Sequence, residues 1–149
     1  MRAALVPSRH RLGVVLGLLT VLLASCSSAS ATDIASGTDQ SAPGIRVVSV
    51  EAAVSLLDEQ PGITVIDVRT PGEFAEGHLE GAVLVDYTAA DFREAIGEFP
   101  RDGSYLIYCR SGNRSAGARQ VMAELGFTDV TDIDGGVLAW SQQGGRLVS

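Results

Sequence analysis

From about residue 45 onward, five short apolar segments rich in Val and Ile alternate with segments whose apolar residues recur at helical spacing. The apolar segments are 46–48, 63–68, 82–85, 105–108 and 129–133. Short strands separated by helices are typical of a mainly parallel sheet that is covered by helices on both faces. We therefore predict an α/β fold with a mainly parallel five-stranded sheet, formed by one domain over residues 45–149.

Local signals mark where several helices begin. Thr70-Pro71-Gly72-Glu73 fits a capping box with proline at the first helical position. A later helix is predicted from Ser115 to Leu125. Ser49 can cap an earlier helix. The buried face of that earlier helix is predicted to contain Val50, Ala53, Val54 and Leu57.

One predicted strand delivers a cysteine to the sheet edge where ligands bind in folds of this class. Cys109 directly follows the strand 105–108, and the loop 110–114 leads from it into a helix. In such a loop, successive backbone N–H groups turn inward and the helix N-terminus adds partial positive charge. Because this setting favours the thiolate, we predict that Cys109 is a nucleophile rather than a buried structural cysteine.

The charge balance singles out the arginines beside this cysteine. The chain contains no lysine, and after Cys26 eight arginines stand against 18 acidic residues, which gives a net charge of −10. A surface this acidic argues against nucleic acid as a partner. Arg110 and Arg114 are therefore candidates for holding a small anion in a chain that otherwise repels anions.

The first 25 residues are predicted to be a signal peptide. A basic segment containing Arg2, Arg9 and Arg11 precedes the uncharged apolar stretch Leu12–Ala24. This stretch is too short to span a bilayer comfortably, but it suits a signal peptide. Residues 26–44, rich in small and polar side chains, are predicted to form a flexible tether.

The run Leu23-Ala24-Ser25-Cys26 resembles the lipobox of bacterial lipoproteins. The resemblance implies that Cys26 becomes a lipidated N-terminus, which anchors the protein to the extracytoplasmic face of the cell membrane. The alternative is an ordinary cleaved signal peptide with a chance cysteine. If Cys26 carries lipid, Cys109 is the only thiol left and no internal disulfide can form.

Five separated motifs occur in an order that resembles single-domain rhodaneses over roughly residues 45–145. They are Ile66-Asp67-Val68-Arg69, Pro71-Gly72-Glu73-Phe74, Gly77-His78-Leu79-Glu80-Gly81-Ala82, Tyr108-Cys109-Arg110-Ser111-Gly112-Asn113-Arg114-Ser115 and Gly135-Gly136-Val137-Leu138-Ala139-Trp140. The resemblance implies a rhodanese-like fold and a sulfurtransferase that needs no cofactor.

The resemblance also implies roles for individual residues. Cys109 would take sulfur from a donor such as thiosulfate as a persulfide and pass it to a thiol or cyanide. Asp67 and Arg69 would support the site through a salt bridge. We expect structural roles for Glu73, as a helix cap and arginine partner, and for His78 and Trp140. The substrate-binding loop would comprise Arg110, Ser111, Gly112, Asn113 and Arg114.

The length of the loop and the size of the domain bear on alternative functions. Cysteine phosphatases place five residues between cysteine and arginine, whereas four separate Cys109 from Arg114, so the cradle fits a smaller group. A sulfane-sulfur carrier or binding module of the same fold, without fast turnover, remains an alternative. A solute-scavenging lipoprotein is less consistent with one small domain. Two histidines and one free cysteine do not indicate a metal site.

Overall fold

The computed structural model describes residues 44–149, and all five predicted strands are present. They form one parallel sheet in the order β1-β5-β4-β2-β3. The strands are β1 (Ile45–Val48), β2 (Thr64–Asp67), β3 (Val83–Leu84), β4 (Ser104–Tyr108) and β5 (Asp129–Ile133). The predicted signal peptide, Cys26 and nearly all of the predicted tether lie outside the described residues.

In residues 44–149, four helices connect successive strands and a fifth follows β5, and together they cover both faces of the sheet, as the sequence predicts. They are α1 (Val50–Glu59), α2 (Pro71–Glu76), α3 (Phe92–Gly97), α4 (Asn113–Glu124) and α5 (Gly136–Gln142). Residues of α1 and α5 pack in a core on one face, and residues of α3 and α4 pack in a second core on the other. Within the described residues, no helix combines the length and apolar character needed to cross a membrane.

The central strand β4 has no polar face because both of its faces are covered. Residues 105–108 are at most 2% exposed, and their side chains enter the two cores alternately. A continuous apolar run is the sequence signature of such a strand. Its burial fixes the position at which Cys109 emerges from the sheet.

The helix caps follow the local sequence. The Thr70 hydroxyl accepts a hydrogen bond from the Glu73 amide, and the Glu73 carboxylate accepts one from the Thr70 amide, which completes the predicted capping box. The Ser49 hydroxyl caps α1 by accepting a hydrogen bond from the Ala52 amide. The prediction for the buried face of α1 is wrong at Val54, which is 41% exposed. The face that meets the sheet is centred near Ala53 and includes Leu56 instead.

Several element boundaries differ from the predicted ones. β2 covers only part of the predicted 63–68, and β3, an edge strand that pairs with β2 alone, has two of its four predicted residues. α4 begins at Asn113, two residues earlier than predicted. Gly112 has φ +98°, a conformation that glycine adopts without strain, and this allows the loop to turn into the helix early.

Candidate active site

Cys109 lies at the end of β4, and its sulfur is surrounded by hydrogen-bond donors. The residue is only 1% exposed. The Gly112 amide donates to Sγ at 3.1 Å, and the Ser115 hydroxyl donates to it at 3.6 Å. Burial raises the pKa of the Cys109 thiol, but hydrogen bonds from the Ser115 hydroxyl and from the amides of Ser115, Ser111 and Gly112 outweigh it. The pKa therefore lies below the ordinary thiol value, and the site favours the thiolate.

The first turn of α5 holds the start of the active-site loop. The Val137 amide donates to the Cys109 carbonyl at 2.9 Å, and the Leu138 amide donates to the Arg110 carbonyl at 3.1 Å. Gly136 makes this approach possible, since a Cβ there would collide with the Cys109 carbonyl oxygen. With these carbonyls tied to α5, the later amides of the loop are free to face the sulfur.

Arg114 is held by a carboxylate from another element. Its guanidinium makes two hydrogen bonds of 2.7 Å to Glu73, one to each carboxylate oxygen. The Arg114 side chain is the main cause that lowers the pKa of Glu73 to about 2. The predicted arginine partner of Glu73 is thus Arg114. This pair connects the N-terminus of α2 to the first turn of α4 across the site.

Arg110 differs from Arg114 in exposure and in pairing. It is exposed, and among residues 44–149 it forms no ion pair. It lines a pocket of about 320 Å³ whose wall also includes Arg69, Glu76, Leu138 and Leu147. Arg110 is therefore the arginine of the loop whose charge is available to an incoming anion.

Asp67 and Arg69 form a buried ion pair beside the pocket. Arg69 Nη2 lies 2.6 Å from Asp67 Oδ2, and the same nitrogen donates to the Gly77 carbonyl at 2.7 Å. The Arg69 guanidinium also lies 5.6 Å from the centre of the Tyr108 ring. Since Asp67 and Tyr108 are neighbours in the β2–β4 register, the pair joins the ends of these strands to the segment after α2.

The other predicted residues occupy the edges of the site. Ser111 and Asn113 are exposed, and both line a second cavity of about 250 Å³ on the outer side of the loop. His78 Nδ1 lies 3.0 Å from the Phe74 carbonyl, and its ring stacks on Phe74. Trp140 is 7% exposed and donates through Nε1 to the Arg146 carbonyl at 3.1 Å.

Comparison with known proteins identifies the family. The model of the rhodanese-like domain matches residues 49–143. This chain belongs to the rhodanese-like domain family. A sulfurtransferase of Allochromatium vinosum is 30% identical over 105 residues, which cover 70% of this chain and 96% of that protein. Thiosulfate sulfurtransferase 16 of Arabidopsis thaliana, a chloroplast protein, is 38% identical over 107 residues, which cover 65% of this chain and 88% of that protein.

Some relatives of this rhodanese-like domain are much longer. The probable adenylyltransferase/sulfurtransferase MoeZ of Mycobacterium tuberculosis is 34% identical over 87 residues, and the match covers 58% of this chain but 22% of MoeZ. Among solved structures, a rhodanese-related protein of Thermoplasma volcanium superposes with a TM-score of 0.60 at 29% identity and covers 69% of this chain and 97% of its own. A rhodanese-like domain protein of Staphylococcus aureus gives a TM-score of 0.60 at 26% identity, and the match covers 70% of this chain and 99% of that protein's chain.

Three residues of this rhodanese-like domain were not singled out as site residues by the sequence. Ser115 contacts the sulfur, Gly136 supports the loop, and Asp132 is a buried carboxylate of β5 that faces Arg119 of α4. The sequence could have indicated Ser115, because it directly follows Arg114 where the helix begins. Nothing in the sequence around Asp132, which lies in the buried strand β5, indicated a role at the site. Among residues 44–149, no cluster of three or more His, Cys, Asp or Glu side chains is arranged to hold a metal ion.

Proposed function

We propose that this protein transfers sulfane sulfur from a small anionic donor such as thiosulfate to a thiophilic acceptor, through a persulfide on Cys109. The observation that carries the proposal is the buried Cys109 sulfur, held among amide and hydroxyl donors with a lowered pKa. A cradle of this kind stabilises negative charge on sulfur, which is the charge that both the nucleophile and the persulfide carry. The sulfurtransferase names of several relatives support the same activity.

The reaction would proceed in two displacements. The Cys109 thiolate attacks the outer sulfur of thiosulfate, an S–S bond forms, the S–S bond of the donor breaks, and sulfite leaves with its electron pair. An acceptor thiolate or cyanide then attacks the outer sulfur of the persulfide, and the Cys109 thiolate leaves. Each displacement conserves charge, and the cysteine returns to its starting state.

The donor would enter through the pocket that Arg110 lines. The acidic chain repels anions overall, whereas the Arg110 guanidinium, which forms no ion pair within residues 44–149, offers a local attraction next to the loop. The loop amides of Ser111 and Gly112 would then receive the transferred sulfur. Because the Arg114 charge is matched by Glu73, we assign Arg114 mainly to holding the loop in shape.

Replacement of the nucleophile tests the activity. We expect thiosulfate treatment to add the mass of one sulfur atom to the wild-type protein and nothing to Cys109→Ser, measured by intact-mass spectrometry. Serine is nearly isosteric with cysteine, so circular dichroism should show the same fold in both. Sulfur transfer that persists in Cys109→Ser would refute the assignment.

One observation favours a sulfur carrier as a second candidate. The Cys109 sulfur is so well buried that a bound persulfide would be shielded from solvent. A carrier would accept sulfur once and release it only to a specific partner. Under excess thiosulfate and cyanide, a carrier would stay loaded and release little or no thiocyanate, whereas an enzyme would release many equivalents per protein.

We also propose that the protein is a lipoprotein anchored through Cys26 on the extracytoplasmic face of a bacterial membrane. Support comes from the basic segment, the short apolar stretch and the lipobox-like Leu23-Ala24-Ser25-Cys26. The test is metabolic labelling with a fatty acid. Wild-type protein should be labelled and recovered with membranes, whereas Cys26→Ala should be unlabelled. Failure to label the wild type would refute the anchor.

A further inference from the structure

The pocket of about 320 Å³ beside the cysteine loop is lined by charged side chains of both signs. Among residues 44–149, two arginines and two glutamates contribute to its wall, namely Arg69, Glu73, Glu76 and Arg110. A ligand that fits this pocket complements the charges that remain after the ion pairs within the protein are taken into account.

Two of these four side chains are already matched by the protein. Arg69 is only 5% exposed, and its Nη2 lies 2.6 Å from Asp67 Oδ2. The Glu73 carboxylate accepts two hydrogen bonds of 2.7 Å from the Arg114 guanidinium. Each of these pairs is neutral as a whole, so neither adds net charge to the wall of the pocket.

Glu76 and Arg110 are the two charges that remain. Glu76 is the last residue of α2, Arg110 is the first residue of the active-site loop, and both are exposed. In the part of the chain that the structure describes, neither forms an ion pair. The pocket therefore offers one negative and one positive group to a ligand. Its wall also includes the aliphatic side chains of Val137, Leu138 and Leu147.

Neither thiosulfate nor cyanide makes use of Glu76. Thiosulfate is an anion without a positive group, so it can pair with Arg110 but is repelled by the Glu76 carboxylate. In a reaction of two displacements, sulfite leaves before the acceptor attacks, so one pocket can receive the two substrates in turn. A carboxylate that disfavours the donor can therefore serve the acceptor.

We propose that the acceptor is a small thiol that carries both an ammonium and a carboxylate group, an amino acid of the cysteine type. Its carboxylate would pair with Arg110, its ammonium group with Glu76, and its methylene group would contact the aliphatic wall. This assignment rests on the proposed function in that Cys109 carries the transferred sulfur.

The transfer step balances with this acceptor. The acceptor thiolate attacks the outer sulfur of the Cys109 persulfide, and a new S–S bond forms. The bond between that outer sulfur and Cys109 Sγ breaks, and its electron pair stays on Cys109 as the thiolate. The product is the persulfide of the acceptor.

Four thiols test the two charged groups separately. Cysteine carries both groups, cysteamine only the ammonium group, 3-mercaptopropionate only the carboxylate, and 2-mercaptoethanol neither. The full chain is loaded with sulfur by inorganic polysulfide, mixed with one thiol and quenched with iodoacetamide. Mass spectrometry of the Cys109 peptide then gives the rate at which the persulfide is lost, independently of Cys26 and of thiosulfate. Each variant is compared with wild type on the same thiol, so the intrinsic reactivity of that thiol cancels.

We expect Glu76→Gln to slow transfer to cysteine and to cysteamine roughly 2- to 5-fold, the contribution of an exposed ion pair, and not to slow transfer to the other two thiols. Arg110→Ala should slow transfer to cysteine and 3-mercaptopropionate more than transfer to the two thiols without a carboxylate. The matched control is Glu98→Gln, which removes the same charge from an exposed residue of a different cavity. It should leave all four rates unchanged relative to one another.

The acceptor class is overturned if Glu76→Gln slows all four thiols equally or slows none of them. It is also overturned if Glu98→Gln gives the same pattern, because the effect would then come from the net charge of the chain. The expected pattern in a protein that takes no sulfur from thiosulfate would uphold the acceptor class and refute thiosulfate as the donor. Failure of polysulfide to load Cys109 would refute both.

Discussion

Arg110 and Arg114 both belong to the active-site loop, but within residues 44–149 only Arg114 forms an ion pair with a carboxylate. The Arg114 guanidinium donates two hydrogen bonds of 2.7 Å to the Glu73 carboxylate, which holds it in place. Arg110 lines the pocket without an ion pair within residues 44–149. Similar residues at similar positions are therefore expected to act differently, one by recruiting the donor and the other by shaping the loop.

This difference predicts how the two variants respond to donor charge. A charge-assisted hydrogen bond contributes about 1.5–3 kcal/mol, so Arg110→Ala should slow transfer from thiosulfate roughly 10- to 150-fold. It should slow transfer from a neutral sulfur donor much less, whereas Arg114→Ala should slow transfer from both donors to a similar extent. The measurement is the rate constant for each donor with each variant.

Glu73→Gln is the matched control for this prediction. It releases the Arg114 charge without removing it, so the ratio of the thiosulfate rate to the neutral-donor rate should rise above that of wild type. If Arg110→Ala slows the neutral donor as much as thiosulfate, Arg110 does not recruit anions.

At the scale of elements, the contact between β4 and α5 determines the shape of the loop. Carbonyls of Cys109 and Arg110 accept hydrogen bonds from the first turn of α5, and the approach is so close that Gly136 has no room for a side chain. The precision of the amide cradle thus depends on a helix that contributes no side chain to the cradle itself. A substitution that breaks the contact between the loop and α5 is therefore expected to lower both the free energy of unfolding and the rate of sulfur transfer.

Two glycine substitutions separate this contact from backbone strain. Gly136 and Gly144 both have positive φ, but a Cβ at Gly144 would meet open space. Gly144→Ala should cost about 1 kcal/mol, the strain of a left-handed residue, and leave sulfur transfer intact. Gly136→Ala should cost on the order of 3–5 kcal/mol and abolish transfer, because the loop must move away from α5. Denaturant unfolding followed by Trp140 fluorescence gives both values. Equal losses of stability and of sulfur transfer in the two variants would mean that the contact with α5 does not shape the loop.

At the scale of the whole molecule, two carboxyl groups give stability opposite dependences on pH. Glu73 has a folded pKa lowered from 4.5 to about 2, so its stabilisation is present above pH 4.5 and is lost as pH falls towards 2. Asp132 has a folded pKa raised from 3.8 to about 6, so the folded protein binds its proton more tightly than the unfolded chain does. Its contribution therefore declines as pH rises from 3.8 to about 6.

We expect Asp132→Asn to remove that decline. The shift corresponds to about 3 kcal/mol, so the free energy of unfolding of the variant should gain roughly this much relative to wild type between pH 4 and pH 7. Urea unfolding across this range is the measurement, and Asp58→Asn, at an exposed position, is the control. A difference that does not change with pH would show that Asp132 ionises in the folded protein as it does in the unfolded chain.

The sequence predicted the sheet and the position of Cys109 between a strand and a helix because both leave local patterns. Alternating apolar segments reveal strands, and a cysteine between a strand and a helix reveals the loop. The exposure of Val54 could not be predicted, because the helical pattern does not say which side of a wide apolar stripe meets the sheet. Pairs distant in sequence were harder still. Glu73 and Arg114 are 41 residues apart, and nothing local connects Asp132 to Arg119.

The antiparallel pairing of Val148 with His78 places the last residues of the chain beside the pocket, where Leu147 forms part of the wall. A dye coupled at Ser149 would stand two residues from that wall. Its emission would then report the arrival and departure of molecules at the cysteine loop, without any change to the loop itself.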